Sequence, residues 1–307
     1  MSEAADCTPM NALQHPPRRS ALYVPASNPR ALAKVGGLDA DAVVFDLEDA
    51  VAPEMKEAAR GHLLQVFEAG WPGPHYRVVR INAIGSADFD ADMRTVARCR
   101  PDALLVPKIG SANDVRFLSE AALRHGLGAE LRLWLMVETA DALAALDDIV
   151  RAGLGARPRL EALVVGTNDL AKETGVFAGD GRRYLMPWLM NVVLNAKRHG
   201  ICVLDGVWND FADTAGFDAE ALQSSRMAFD GKTLIHPSQI APANAAFSPS
   251  AAALEEARAI VAAFELPRHA GAGVINLEGR MVERLHLAQA QRLLAMQAAI
   301  EARDQGR

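Results

Sequence analysis

The sequence predicts an α/β fold of the TIM-barrel type, a (β/α)8 barrel, with a C-terminal helical extension. The first observation is that short apolar runs alternate with longer helical patterns from Ala21 onward, as repeated βα units around a parallel sheet do. The second is that these apolar runs number eight, whereas a doubly wound sheet commonly stops at about five or six strands. We therefore expect a closed barrel.

Each predicted strand is a short apolar run bounded by turn residues or by a helical pattern. The eight runs span residues 21–25, 42–47, 76–82, 103–107, 131–138, 160–166, 201–204 and 232–236. The helical patterns between them span residues 29–35, 54–68, 87–99, 112–125, 140–151, 187–199 and 219–229. Pro53 stands at the start of the second helical pattern, and Gly200 follows the end of the sixth, which are positions where helices favour these residue types.

Three segments are expected along the chain. Residues 1–17 are polar and contain prolines, which predicts a disordered N-terminal tail, and residues 18–247 contain the barrel. Residues 248–307 contain two further helical patterns, at 250–264 and 281–302, separated by Gly271-Ala272-Gly273. This extension could pack on the outside, form an oligomerisation arm or cover an active site as a lid, and the flexible glycine stretch favours the last two.

The composition excludes several classes of protein. A formal net charge of −6 argues against nucleic acid or a membrane surface as the partner, because such partners require a broad basic face. Cys7, Cys99 and Cys202 are too few and too widely spaced for a disulfide framework or a Cys-x-x-Cys metal site. No apolar run approaches the roughly 20 residues that span a bilayer. We therefore expect a cytoplasmic enzyme.

Polar and charged residues close most of the predicted strands, and in barrel enzymes the catalytic groups lie at the carboxyl ends of the strands. Each such residue alone is compatible with a helix cap or a salt bridge at the barrel rim. Together they predict one site. In strand order they are Asp46, Glu48 and Asp49; Arg80 and Asn82; Lys108; Glu138; Asp169; Asp205; and His236.

Glu138 and Asp169 follow consecutive predicted strands, and adjacent strands lie about 4.8 Å apart, so the two carboxylates can approach one point. Two carboxylates this close repel each other unless a cation lies between them. Lys108 is one candidate cation. Hard oxygen ligands with room for water or substrate suit Mg²⁺, and no histidine cluster with zinc spacing is present. The pair therefore predicts a magnesium site.

Arg80 lies near the end of the third predicted strand, where alternation places it on the same face as Val78. An arginine beside a metal at a barrel mouth is placed to bind a carboxylate through two N–H groups or to stabilise an enolate oxygen. A salt bridge to Asp46 or Glu48 is the alternative interpretation. Arg80 can form this salt bridge and contact the substrate at the same time.

From Arg19 almost to the C-terminus, the sequence resembles the citrate lyase beta-subunit-like family of CoA-ester lyases. This family includes malyl-CoA and citramalyl-CoA lyases and belongs with the HpcH/HpaI aldolases. In this order the segments that carry the resemblance are specific. They are Arg19-Ser20-Ala21-Leu22-Tyr23-Val24-Pro25, Asp46-Leu47-Glu48-Asp49-Ala50-Val51-Ala52-Pro53, Val79-Arg80-Ile81-Asn82, Val106-Pro107-Lys108, Glu138-Thr139, Gly166-Thr167-Asn168-Asp169-Leu170, Asp205-Gly206 and Gly231-Lys232-Thr233-Leu234-Ile235-His236-Pro237-Ser238-Gln239.

The resemblance implies that Glu138 and Asp169 coordinate Mg²⁺, in agreement with the argument from strand geometry. It also implies that Arg80 contacts the acyl and keto-acid groups. The loop after the first strand is expected to receive CoA, with Tyr23 and Lys34 as the aromatic and basic residues near this cofactor. Asn28 departs from the family pattern, since some relatives have an arginine there for a CoA phosphate.

The resemblance further implies a homo-oligomer, a trimer or hexamer, in which the C-terminal segment of one chain closes over a neighbouring active site. Relatives bring an aspartate to that site in a Gly-Arg-Met-Val-Asp type of motif. This chain has Gly279-Arg280-Met281-Val282-Glu283, so Glu283 occupies the matching position. Glu278 is a weaker candidate for the same role. The alternative is that Glu283 only starts a surface helix with a favourable dipole contact.

The reaction expected from this resemblance is Mg²⁺-dependent cleavage of a citryl-, malyl- or citramalyl-CoA type of ester to acetyl-CoA and a 2-keto acid. Arg80 would neutralise the enolate oxygen and Glu283 would deliver the proton to the enolate carbon. Asp46, Glu48 and Asp49 would order metal-bound waters or hold Arg80 in place. Three alternatives remain open: an aldolase of free hydroxy-keto acids, an acyl-CoA thioesterase, and a non-catalytic paralogue that binds acyl-CoA.

Overall fold

The computed structural model describes residues 15–71 and 73–305, and it divides into two compact units. The first unit is Arg18–Phe247, and the second contains the described residues from Ser248 on. Most of the predicted N-terminal tail, residues 1–14, lies outside the described residues. No described helix is long and apolar enough to cross a membrane.

Eight parallel strands close into a barrel in chain order, because β1 pairs with both β2 and β8. The predicted (β/α)8 fold is therefore confirmed. All eight predicted strands exist, each with bounds within two residues of the prediction. They are β1 (Ser20–Pro25), β2 (Ala42–Asp46), β3 (Tyr76–Arg80), β4 (Ala103–Val106), β5 (Arg132–Val137), β6 (Arg159–Val165), β7 (Cys202–Asp205) and β8 (Gly231–Leu234).

Strand alternation separates two layers of the core. Alternate side chains of a strand, such as Val43 and Phe45 of β2, belong to the layer shared with the outer helices. Val44, which lies between them, belongs to a second buried cluster. That second cluster combines small residues with the fully buried Trp134, the alternation of small and large side chains that fills a barrel interior. Val44 and Val78 share their parity with Asp46 and Arg80, so these charged groups lie on the inner face at the strand ends.

Ten helices of the barrel unit follow or flank the strands. They are α1 (Pro29–Val35), α2 (Lys56–Glu68), α3 (Phe89–Cys99), α4 (Ala112–Arg124), α5 (Ala140–Ala144), α6 (Leu146–Gly155), α7 (Thr167–Thr174), α8 (Met186–His199), α9 (Thr214–Arg226) and α10 (Ile240–Ala246).

The helices differ from the predictions in a few places. The predicted helix 140–151 is two helices, α5 and α6, because Ala145 between them has non-helical dihedral angles of φ −104° and ψ 18°. The α9 helix begins five residues earlier than predicted, where the Asp213 side chain accepts a hydrogen bond from the N–H of Gly216, a favourable N-cap. The sequence interpretation missed α7 and α10, which have eight and seven residues.

In its described residues the second unit contains two α-helices and a hairpin, α11 (Ala251–Glu265), β9 (Val274–Leu277), β10 (Arg280–Glu283) and α12 (Arg284–Gln305). The prediction of a helix over 281–302 is wrong at its start, because residues 281–283 belong to β10. Glu278 and Gly279 both have positive φ, 51° and 82°, as the two central residues of a type I′ hairpin turn do. Buried Ile275 pairs with buried Val282 across the two strands, which gives this short hairpin an apolar face.

Candidate active site at the carboxyl ends of the barrel strands

A cavity of about 320 Å³ lies within the barrel unit at the carboxyl ends of its strands. Its lining includes predicted site residues from four segments of the chain and several residues that the sequence interpretation did not assign. The lining residues are Tyr23, Asp46, Asp49, Ala50, Arg80, Met136, Val165, Gly166, Thr167, Asn168, Asp169, Val207, Asn209, Thr233 and Ile235.

Asp46 holds Arg80 through two hydrogen bonds. Arg80 Nε donates to Asp46 Oδ1 at 2.7 Å and Arg80 Nη2 donates to Asp46 Oδ2 at 2.6 Å. The Asp46 carboxylate is fully buried and also accepts hydrogen bonds from the N–H groups of Glu48 and Ala50. Since four donors use its oxygens, Asp46 fixes the guanidinium and the loop after β2. The salt-bridge interpretation of Arg80 is confirmed.

Glu48 joins this pair from the other side. Its Oε2 lies 3.0 Å from Arg80 Nη1, and its Oε1 accepts a hydrogen bond from Lys108 Nζ at 2.7 Å. Burial raises the pKa of Glu48, although Arg80 and Lys108 oppose that shift. Asp49 is mostly exposed and lies 3.8 Å from Lys108 Nζ, so it is the least constrained of the three acidic residues after β2.

Glu138 is almost completely buried, with 1% of its surface exposed. Its Oε1 accepts a hydrogen bond from the backbone N–H of Lys108 at 2.7 Å. A Cβ atom at Gly166 would lie 2.5 Å from Glu138 Oε2, so this side chain occupies space that only glycine leaves open. Burial raises the pKa of Glu138 to about 8, and the charges of Asp169 and Glu48 add to the increase. Desolvation of this buried carboxyl group therefore outweighs the opposing effect of the Arg80 charge on its pKa.

Asp169 is the third residue of α7 and lies on the cavity wall. Among residues 15–71 and 73–305, no hydrogen bond or ion pair engages its carboxylate. The alternative in which Lys108 provides the cation between Glu138 and Asp169 is wrong, because the Lys108 ammonium binds Glu48 and only its backbone N–H reaches Glu138. An unpaired carboxylate and a buried one with a raised pKa fit a divalent cation with oxygen ligands.

Tyr23 lies beside Arg80, whose Cζ is 4.7 Å from the centre of the tyrosine ring. The Tyr23 hydroxyl oxygen is buried and has no hydrogen-bond partner among the described residues, and burial raises its pKa. Lys34 is exposed in the last turn of α1 and does not line the cavity. Asn28 caps α1, where its side chain accepts a hydrogen bond from the N–H of Ala31. The CoA contacts of Tyr23 and Lys34 stay predictions.

Six predicted strand-end residues do not line the cavity, and they are Glu48, Asn82, Lys108, Glu138, Asp205 and His236. Asp205 is fully buried in an ion-pair network, 2.8 Å from Arg182 Nη1 and 2.9 Å from Lys232 Nζ. His236 stacks on Phe211 with 4.7 Å between ring centres, and its Nδ1 accepts a hydrogen bond from the N–H of Ser238. Asp205 and His236 therefore stabilise the structure around the rim.

Asn168 and Asn209 are lining residues that the sequence interpretation did not assign. The Asn168 side chain donates to Asn209 Oδ1 at 3.1 Å, and the Asn209 side chain donates to Asn168 Oδ1 at 2.9 Å. This reciprocal pair joins the segments after β6 and β7 at the cavity wall. For Asn168 the only signal was its position before Asp169, and Asn209 follows no apolar run directly.

Glu283 belongs to the second unit, as the last residue of β10. It pairs with Val274 of β9, and its side chain alternates with buried Val282, so it shares a face with Met281. Met281 and Val274 are 69% and 51% exposed. The hairpin therefore presents a carboxylate among exposed apolar side chains. Glu283 directly precedes α12, which begins at Arg284, so the alternative interpretation of a dipole contact at the helix start stays a prediction.

A closed (β/α)8 barrel with acidic side chains and a fixed arginine at its carboxyl strand ends has the arrangement of a barrel enzyme. The chain belongs to the HpcH/HpaI aldolase/citrate lyase family, whose model matches residues 19–237. The family resemblance stated from the sequence motifs is therefore confirmed, and so is the assignment as a carbon-carbon lyase type of enzyme.

Several relatives align over nearly the full length of the chain. A protein of Cereibacter sphaeroides named (3S)-malyl-CoA thioesterase is 43% identical, with 95% of this chain and 98% of the relative covered. The L-malyl-CoA/beta-methylmalyl-CoA lyase of Rhodobacter capsulatus is 34% identical, with 89% and 92% covered. The mitochondrial citramalyl-CoA lyase of Homo sapiens is 30% identical, with 93% and 87% covered.

A solved structure has the same architecture. It is CitE from Mycobacterium tuberculosis in complex with magnesium, acetoacetate and coenzyme A, and the comparison gives a TM-score of 0.75 at 30% sequence identity. The match covers 93% of this chain and 100% of that one. Magnesium and CoA therefore bind to a member of the family that shares this fold.

Proposed function

We propose that the protein is a Mg²⁺-dependent lyase that cleaves a malyl-CoA type of ester to acetyl-CoA and a 2-keto acid. The observation that carries the proposal is the pair of carboxylates, Glu138 and Asp169, beside a fixed Arg80. Asp169 and Arg80 line the strand-end cavity, and Glu138 lies directly against the lining residue Gly166. Relatives named malyl-CoA and citramalyl-CoA lyases support the class of substrate. Citryl-CoA and citramalyl-CoA belong to the same class of substrate and remain candidates.

Glu138 and Asp169 would hold the metal. Glu138 is kept in place by the Lys108 N–H, while Asp169 has no competing partner among the described residues. When bound there, Mg²⁺ supplies Lewis-acid polarisation of substrate oxygens. The magnesium in the CitE structure supports this assignment by similarity.

Arg80 would stabilise the enolate. In the proposed cleavage the proton of the 3-hydroxyl group passes to water, the bond between the second and third carbons breaks, and its electron pair becomes an enolate with the negative charge on the thioester carbonyl oxygen. Arg80 donates hydrogen bonds to Asp46 and to the Met136 thioether and forms an ion pair with Glu48. The guanidinium that lines the cavity is therefore already in a fixed orientation for the substrate oxygen.

Arg80→Lys tests this role. A lysine preserves the charge but cannot form the two-point contact with Asp46, so we expect kcat/KM to fall by about 100-fold, measured as acetyl-CoA release. Arg98→Lys is the matched control, since Arg98 pairs with Glu68 where both side chains are 62% exposed. Equal activity of the two variants would contradict a role for Arg80 in the reaction.

Glu283 of an adjacent chain would deliver the proton that converts the enolate into acetyl-CoA. The exposed hairpin face around Glu283 supports a docking role for this segment, and the trimer or hexamer that the sequence predicts would supply the neighbouring chain. CoA would be held by the segment after β1, near Tyr23 and Lys34. The acidic residues Asp46, Glu48 and Asp49 would maintain Arg80 and order water around the site.

Glu283→Gln removes the proton donor without changing the size of the side chain. We expect kcat to fall by about 100-fold, with an unfolding temperature equal to that of the wild type because the residue is exposed. Glu278→Gln in the adjacent turn is the control and should keep full activity. Glu283→Asp should retain activity if placement of a carboxylate is what matters, and full activity of Glu283→Gln would remove this residue from the mechanism.

A second candidate function is hydrolysis of the thioester, in which water adds to the thioester carbonyl carbon and the CoA thiol leaves. The 43% identical Cereibacter sphaeroides protein named (3S)-malyl-CoA thioesterase favours it. The same metal pair and the same arginine would serve this reaction, because its tetrahedral intermediate also places negative charge on the carbonyl oxygen.

Product analysis separates the candidates. The protein is incubated with Mg²⁺ and malyl-, citramalyl- or citryl-CoA, and with free hydroxy-keto acids in parallel. Acetyl-CoA together with a 2-keto acid is the expected result. Free CoA together with the hydroxy acid would establish a thioesterase, turnover of free acids alone an aldolase, and absence of turnover a non-catalytic acyl-CoA binder.

A further inference from the structure

Lys108 has an unusual backbone conformation at the edge of the candidate site. It follows β4 by two residues and has a φ of +55°, which lies in the left-handed region that residues with a Cβ atom disfavour. Such strained residues persist where the surrounding structure fixes them, and they concentrate at functional sites.

This conformation lets one residue contact two parts of the site. The Lys108 N–H donates to Glu138 Oε1 at 2.7 Å, and its ammonium group donates to Glu48 Oε1 at 2.7 Å. The other oxygen of Glu48 lies 3.0 Å from Arg80 Nη1. Lys108 therefore connects the carboxylate pair at the candidate metal site with the cluster that holds Arg80.

The backbone hydrogen bond alone does not require lysine. Glycine would supply the same N–H and would adopt this φ without strain. The Lys108 side chain is 44% exposed, so its ion pair adds little to the stability of the fold. Glu48, however, is only 5% exposed and needs oppositely charged partners to remain ionised in that position. The value of the lysine side chain therefore lies in the placement of Glu48.

We propose that Lys108 is a positioning residue. It holds Glu48, and through Glu48 it holds Arg80, in a fixed position relative to the carboxylate of Glu138. Its side chain acts through Glu48, without contact with the substrate. This role rests on the proposed function and adds to it the residue that connects the two halves of the site. It applies to cleavage and to hydrolysis alike, since both need the arginine at the carbonyl oxygen.

Three variants separate the backbone from the side chain. Lys108→Met removes the ammonium group and keeps the strain of the positive φ. Lys108→Gly removes the ammonium group and also relieves this backbone strain, and Lys108→Arg keeps the positive charge. We expect kcat to fall by about 30-fold in Lys108→Met and Lys108→Gly with KM changed by less than about 3-fold, because the arginine acts on the transition state. Lys108→Arg should remain within about 5-fold of the wild type.

Two further measurements exclude a merely structural effect. The affinity for Mg²⁺, measured by calorimetry without substrate, should stay within about 3-fold of the wild type in all three variants, because each keeps the N–H that binds Glu138. Lys108→Gly should unfold about 2 °C above Lys108→Met, since glycine relieves the backbone strain.

Unchanged kcat in Lys108→Met and Lys108→Gly would overturn the inference. A loss of Mg²⁺ affinity in parallel with activity would also overturn it, because the side chain would then act on the metal site and not on Arg80. Absence of wild-type turnover with every ester would remove the proposed function and this inference together. Normal wild-type turnover with fully active variants would remove the inference alone.

Discussion

Glu138→Gln and Asp169→Asn are each expected to abolish Mg²⁺ binding and to lower turnover by at least about 1,000-fold, while the barrel stays folded. Each substitution keeps the size of the side chain and removes one anionic ligand. Calorimetric titration with Mg²⁺ and product analysis provide the two measurements. Glu68→Gln is the matched control, because Glu68 does not line the cavity, is 62% exposed and pairs with Arg98.

The metal-free proteins give an independent test of the same site. Glu138 is buried, and burial raises its pKa from 4.5 to about 8. Glu138→Gln should therefore raise the unfolding temperature of the metal-free protein at pH 8 by about 2–4 °C. A lower unfolding temperature would show that the carboxylate is already stabilised in the absence of metal, which would contradict the metal assignment.

The raised pKa of Glu138 also predicts how stability depends on pH. Between pH 4.5 and about 8 the folded state keeps the proton that the unfolded state loses, so the unfolding free energy of the metal-free protein decreases as pH rises through this range. Mg²⁺ requires the deprotonated carboxylate, so its affinity should increase with pH until about 8. Unfolding temperatures from pH 5 to 9, with EDTA or with Mg²⁺, measure both effects.

Lys232→Met is expected to destabilise the barrel by about 3–5 kcal/mol, because it leaves buried carboxylates without their cation. Lys232 is fully buried, and its ammonium group lies 2.9 Å from Asp205 Oδ2 and 2.7 Å from Glu220 Oε1. It also donates to the backbone carbonyl of Gly206, next to the cavity-lining Val207. Arg182 alone would then face both carboxylates.

Urea unfolding of Lys232→Met measures this loss. Arg98→Met is the control, because its ion pair with Glu68 is well exposed and should contribute at most about 1 kcal/mol. Although burial opposes it, Lys232 together with Arg182 lowers the pKa of Asp205 to about 2. The stability from this carboxylate is present above pH 4 and is lost as pH falls towards 2. If Lys232→Met has the same unfolding free energy as the wild type, the buried ion pairs of Lys232 do not stabilise the barrel as proposed.

The barrel could be predicted because apolar runs such as residues 42–47 and 160–166 repeat with helical patterns between them, and this periodicity depends only on sequence. Short elements carried no such signal. The α7 helix has eight residues and begins at Thr167, with only Gly166 between it and β6. The hairpin over residues 274–283 has only two buried side chains, Ile275 and Val282, at strand spacing, so a helical pattern extended into it.

The candidate site was predictable where a residue's role follows from its position at a strand end. Strand alternation places the side chains of Asp46, Arg80 and Glu138 on the inner face of the barrel, at or next to the cavity. Asp205 also ends a strand, yet its partners Arg182 and Lys232 come from other segments and place it in a buried network. The partner of a charged side chain depends on long-range packing, which local sequence does not specify.

The hydrogen bond between the Lys108 N–H and Glu138 likewise could not be predicted from the sequence. It depends on a left-handed residue whose N–H and side chain point to different partners. The motif Val106-Pro107-Lys108 suggested only a cation at a strand end.

Turnover of malyl-CoA by metal-stripped protein during titration with Mg²⁺ tests most directly whether Glu138 and Asp169 form the metal site of a lyase. The expected result is that acetyl-CoA release begins with added Mg²⁺, saturates at one ion per chain, follows the calorimetric binding curve, and disappears in Asp169→Asn. Acetyl-CoA release at the wild-type rate in EDTA, or an Asp169→Asn variant with the wild-type titration curve, would contradict it.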